Sequence, residues 1–152
     1  MTDRNEKSIQ RVLFVFIVLT LAVIWGHSMM PRSSSAAESG VFVGLLASLW
    51  ERLSVGADMA DHIVRKCAHF TEYTVLGIEL GLYRTLAHKA ETRPKLVIRT
   101  ANLGMVAALI DETIQIFSGR GPMVQDVWLD TAGVCFGAVL VSFLYVRRRG
   151  EG

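Results

Sequence analysis

The chain has 152 residues, 51% of them hydrophobic and 20% charged, with a formal net charge of +2 at pH 7 and a mean hydropathy of +0.38. It is too apolar for an ordinary soluble domain, and its length suits one domain only. A charge so close to neutrality, with the basic residues placed on the flanks of apolar runs, excludes a nucleic-acid-binding surface and makes the lipid bilayer the expected partner.

Residues 12–30 form the first predicted membrane span, preceded by Arg4, Lys7 and Arg11. Its length is close to the roughly 20 apolar residues that cross a hydrocarbon layer. A cleaved secretory leader is the rival reading, since small residues follow at 33–37, but the run reaches Met30 without a small-x-small site. Pro31 and the serines at 33–35 read as a loop. Val41, Phe42, Leu45, Leu46, Leu49, Trp50 and Leu53 then recur at helical spacing, so 41–53 is expected to be a short amphipathic helix. It would pack on the bundle or roof a polar pocket, with Trp50 at headgroup level.

Three further spans are predicted at 67–87, 96–117 and 126–146, giving an all-α membrane domain of four transmembrane helices. Each carries ionisable residues. Lys66, His69, Glu72 and Tyr73 open the second, Asp111, Glu112 and Gln115 close the third, and Asp126 and Asp130 open the fourth. A charge inside hydrocarbon costs about 2.5–3.5 kcal/mol on insertion scales, so an intramembrane polar site is expected in preference to a set of solvated helix ends. Residues three or four apart share a helical face, which lets each helix turn its polar group inward. The turn Ser118, Gly119, Arg120, Gly121 and Pro122 should hold Arg120 over the acidic pocket, where a guanidinium fork suits a carboxylate or a phosphate.

Several of these residues have blander readings. Glu112 lies about 100° round the helix from Asp111, and one of the two is expected to serve a neighbouring helix or the backbone. Glu79, near the middle of the second span, is expected to pair with Arg84, Arg99 or Asn102. His69 beside carboxylates makes a workable metal shell, but a lone histidine is more often structural, so neither metal nor cofactor is expected. Cys67 and Cys135 fall in separate spans and read as buried, inert thiols.

Eleven of the 16 lysines and arginines lie before the first span, around the 88–95 loop or after the fourth span. The positive-inside rule then places both termini and that loop in the cytoplasm and the polar clusters beneath the external leaflet. At about 1.5 Å of rise per residue, Glu72, Asp111 and Asp130 all fall about 6–9 Å below that boundary. Gly133 and Gly137 form a small-xxx-small stripe for close helix contact, within the bundle or between copies in a homo-oligomer.

Three blocks carry a family resemblance. Arg65, Lys66, His69, Glu72, Tyr73, Leu76 and Gly77 resemble an R-K-x-x-H-x-x-E-Y-x-x-L-G block of the VanZ-like family of small bacterial membrane proteins. Asp111, Glu112 and Gln115, followed by Gly119 and Arg120, resemble its D-E-x-x-Q and G-R elements. Asp126, Gly133 and Gly137 resemble its D-x-x-x-N-x-x-G-x-x-x-G ending, with Asp130 standing where the family usually has asparagine. The resemblance implies an inner-membrane protein of the bacterial cell envelope and, for some members, reduced susceptibility to glycopeptide antibiotics such as teicoplanin. It implies no reaction.

Two functions are therefore expected to compete. One is an outward-facing site for a lipid headgroup or lipid-linked envelope precursor, with Lys66, His69 and Arg120 holding anionic oxygens and the carboxylates acting as acid, base or cation ligands. The other is a noncatalytic membrane protein that binds a partner, its polar network only fixing the helix packing. A transporter or channel would need a polar path through the inner half, where little beyond Glu79 is on offer.

Overall fold

The computed structural model describes residues 3–30, 32–119, 121 and 123–147. Six α-helices account for the regular structure there: α1 (Asp3–Met29), α2 (Arg32–Leu45), α3 (Ala47–Arg52), α4 (Ala57–Ala87), α5 (Arg93–Phe117) and α6 (Val124–Arg147). The four long helices coincide with the four predicted spans, and each extends beyond at least one predicted end. Helix α4 overshoots most, by ten residues at its start, because an Asp61–Arg65 ion pair of 2.6 Å one turn apart supports the added turns. Its 31 residues reach about 46 Å, well past a hydrocarbon layer of about 30 Å.

Helix α4 is the centre of the bundle, packed most extensively on α6 and also on α1, α2 and α5. Glycines make the α4–α6 contact close: a Cβ on Gly137 would lie 2.3 Å from the Thr74 carbonyl oxygen, and one on Gly77 2.3 Å from that of Val134. Gly133 likewise faces Phe70 and Tyr73. The small-residue stripe thus makes a close contact inside the bundle. Ile17, Ile24, Tyr73, Leu76, Ala107, Ala108 and Val134 complete the core.

The distribution of polarity is inverted relative to a soluble bundle. Asp111 and Asp130 are 0% exposed, while Phe117 is 86% and Leu144 72% exposed, and Phe14, Val15, Phe16 and Leu19 face outward along α1. Carboxylates inside and large apolar side chains outside suit a lipid solvent. Two helical segments, Arg4–Met29 and Val124–Leu144, are long and apolar enough to cross a membrane by length and composition. Helices α4 and α5 have the length, but their polar residues lower the hydropathy below that mark.

Some expectations need correction. The serines at 33–35 lie within α2 rather than in a loop, since nothing after Pro31 obliges the chain to leave the helical region. The amphipathic segment 41–53 is broken at Leu46 into the end of α2 and the short α3. Most of its apolar stripe does not pack on the bundle: Val41, Phe42, Leu45, Leu46, Leu49 and Leu53 are exposed while Trp50 is half-buried, and α2 is tied to α4 by the Ser39 hydroxyl donating to the Asp61 carboxylate. Cys67 is exposed and Cys135 half-buried, so only the absence of ligand spacing around them stands. Glu79 accepts from the Thr20 hydroxyl of α1 at 3.0 Å. Arg84 and Arg99 are turned instead towards Glu91, which lies closer to their planar ends.

That arginine pair closes the end of the bundle opposite the polar clusters. Arg84 donates from Nε and Nη2 to the two Glu91 oxygens at 3.2 and 2.7 Å, and Arg99 Nη1 donates to Oε1 at 2.9 Å. Burial pushes the Glu91 carboxyl up, but the two guanidinium groups outweigh it and hold the group below its ordinary 4.5. A depressed native value means that the tie is fully present above pH 4.5 and is lost as pH falls through the native value. In melting curves of the purified protein, Glu91→Gln should therefore flatten the loss of stability below pH 4.5; a wild-type acid limb in that variant would show that the tie contributes nothing.

Candidate functional site

The three predicted clusters converge at one end of the bundle, where α4 and α6 begin and α1 and α5 finish. Antiparallel neighbours of this kind bring the start of one helix beside the end of the next, so residues 40 to 60 positions apart become adjacent. The positive φ of 73° at Gly119 follows the last turn of α5 and lets the chain reverse there.

At the mouth, the Lys66 ammonium pairs with the Asp126 carboxylate across α4 and α6. A turn deeper, His69 Nδ1 stands 3.8 Å from Asp130 Oδ1, too far for a hydrogen bond. Of Asp111 and Glu112, Glu112 is the one that serves the backbone: its Oε2 accepts from the Met123 N–H at 2.8 Å and its Oε1 from Gln115 Nε2 at 3.0 Å. Gln115 also donates to Asp111 Oδ2 at 3.3 Å, so one amide steadies two acidic neighbours.

Several of the unsatisfied buried polar atoms lie close together here. Asp111 Oδ1, both carboxylate oxygens of Asp130 and the Tyr73 hydroxyl are buried and have no hydrogen-bond partner among the described residues. One donor atom each from His69, Asp111 and Asp130 lie within 4.8 Å of one another. Three helices thus supply one ligand-type group apiece to a shared point. Buried polar atoms left this way each cost about 1–3 kcal/mol, so the arrangement calls for a guest or for protons.

Glu72 is placed differently from the expectation of a common pocket. Its Oε1 lies 3.0 Å from His27 Nδ1, which ties α4 to α1 and turns this carboxylate to the flank of the triad. Arg120, expected above the pocket, lies outside the described residues. His27 and the fully buried Ser28 are members of this polar end that sequence reasoning missed. An imidazole near the end of an otherwise uncharged apolar run was the available signal.

A cleft of about 100 Å³ opens from this end between α4, α6 and the turn before α6. His62, Arg65, Lys66 and His69 of α4 and Asp126, Leu129 and Asp130 of α6 line it, with Gln115 and Met123. Its rim carries Lys66 paired with Asp126, and His69 and Asp130 lie about a turn deeper. Arg65 and Asp61, both outside the expected site, belong to this rim through their own ion pair.

Comparison with known proteins gives one family: the VanZ/LLP1 family model matches residues 12–145. No curated protein and no solved structure matches the chain.

Proposed function

The chain belongs to the VanZ/LLP1 family, and from that premise we propose that it is a four-span protein of the bacterial inner membrane whose polar cleft receives a lipid headgroup or lipid-linked envelope precursor. Both termini and the 88–92 turn lie in the cytoplasm, and the cleft faces the external leaflet. The observation that carries this reading is the convergence of Lys66, His69, Asp126 and Asp130 on one cleft at a single end of an apolar-surfaced bundle. A headgroup has the size for such a cleft, and its acyl or prenyl chains would lie along the exposed apolar faces of the neighbouring helices. The exposed stripe of α2 and α3 then rests in the same interface. Holding a lipid-linked precursor is the step through which a contribution to glycopeptide tolerance would act.

Topology is the first test. A reporter fused at Thr92 should read cytoplasmic and one at Gly121 external; two fusions on the same side would remove the outward-facing cleft.

The second reading, a noncatalytic bundle stabilised by its polar network, is favoured by the interhelical ties Lys66–Asp126, His27–Glu72 and Glu112 to the Met123 N–H. These contacts join helices whether or not anything enters the cleft. The lipid-binding variant considered in the Discussion separates the two readings.

A further inference from the structure

We propose that His69, Asp111 and Asp130 bind one divalent transition-metal ion, of the class that accepts both imidazole nitrogen and carboxylate oxygen, Zn²⁺ or Mn²⁺. The three donor atoms come from α4, α5 and α6 and lie within 4.8 Å of one another. An ion at the centre of such a triangle sits roughly 2–3 Å from each donor, the range of metal bonds to nitrogen and oxygen. Direct hydrogen bonding does not explain the approach, since His69 Nδ1 and Asp130 Oδ1 stop at 3.8 Å.

Charge supplies an independent argument. Asp111 and Asp130 are completely buried, and Asp111 Oδ1 and both Asp130 oxygens have no hydrogen-bond partner among the described residues. The lysine and arginine of the cleft are paired elsewhere: Lys66 with Asp126 and Arg65 with Asp61. Two desolvated carboxylates beside one imidazole are stabilised by a dication more than by a single positive charge. One nitrogen and two oxygens are too few hard ligands for Ca²⁺, and Mg²⁺ favours sites built from carboxylates, water and phosphate.

Three protein ligands leave a coordination position for water or for an oxygen of a guest. His69 and Asp130 also line the cleft, which gives the ion a route in from the mouth. The ion site stands whether or not a headgroup enters, because metal content is measured without any lipid ligand.

The test uses the full chain, purified in detergent with a tag that contains no histidine, stripped with a chelator and dialysed against Zn²⁺ and, separately, Mn²⁺. Metal content by mass spectrometry should reach about one ion per chain, with excess Mg²⁺ or Ca²⁺ failing to displace it. Asp130→Asn and Asp111→Asn, which keep side-chain size, should each weaken binding at least about tenfold, whereas Asp126→Asn at the mouth should stay within about threefold. Helical, monodisperse wild-type protein that holds no ion overturns the proposal, and this result does not depend on any variant folding. Equal metal binding by wild type and Asp130→Asn overturns it too, as does displacement by Mg²⁺.

Discussion

Gly137→Leu should leave little or no folded protein. A Cβ at this position would lie 2.3 Å from the Thr74 carbonyl oxygen and 2.8 Å from the Ile78 nitrogen. Both are backbone atoms inside α4, so neither can rotate aside, and the helices would have to part along their whole contact. Inserting even single methylenes into a packed interior costs about 1–3 kcal/mol, against a total stability of about 5–15 kcal/mol. Leucine adds several such groups at the tightest point of the most extensive contact in the bundle. Gly137→Ala should lower the melting temperature clearly, and Gly137→Leu should elute as aggregate. Gly26→Ala is the matched control: nothing lies within 4 Å of a Cβ there, and alanine favours a helix over glycine by about 1 kcal/mol, so this variant should melt no lower than wild type. A Gly137→Leu protein with a wild-type melt would mean that α4 and α6 do not touch at these glycines.

The second large effect concerns lipid binding. Replacing both members of the mouth pair, Lys66→Met with Asp126→Leu, removes two charges of similar shape without leaving either partner alone. Such double replacements are often neutral or stabilising, whereas removing one partner of a fully buried pair costs about 3–5 kcal/mol. Lys66 and Asp126 are about a quarter exposed, so Lys66→Met alone should cost less than that. Membrane abundance of the double variant should stay within about twofold of wild type, while retention of a polyprenyl phosphate in native mass spectrometry falls at least about tenfold, or about 1.4 kcal/mol. Retained lipid with retained abundance would count for the noncatalytic reading. Metal content read in the same samples keeps the two proposals apart, since the mouth pair supplies no ligand to the ion.

Helix positions were legible in the sequence because each long apolar run carries its own punctuation. Asp126 stands near the start of α6, and the glycines at 119 and 121 fall between α5 and α6. A shared depth was expected for Glu72, Asp111 and Asp130 from rise per residue and the charge bias, and the structure sets Asp111 and Asp130 together with His69 as the member from α4. Partner choice did not follow from either. Depth says nothing of rotation about each axis, so Glu72 turning to His27, and Arg84 and Arg99 reaching Glu91 rather than Glu79, needed three-dimensional packing to decide. The amphipathic stripe at 41–53 was readable as helix, yet periodicity cannot tell a face that meets protein from one that meets lipid. Phe42, Leu45 and Leu49 are exposed on the chain itself.

The glycine seam has a consequence for axial alignment. Gly77 on α4 and Gly133 and Gly137 on α6 mesh against opposing backbone like teeth, so the two helices can neither slide nor swivel in small increments. The next setting is a full turn away, about 5.4 Å, and it would separate Lys66 from Asp126 and His69 from Asp130 together. Residues with no chemistry of their own thus act as the detent that keeps the reactive ones level.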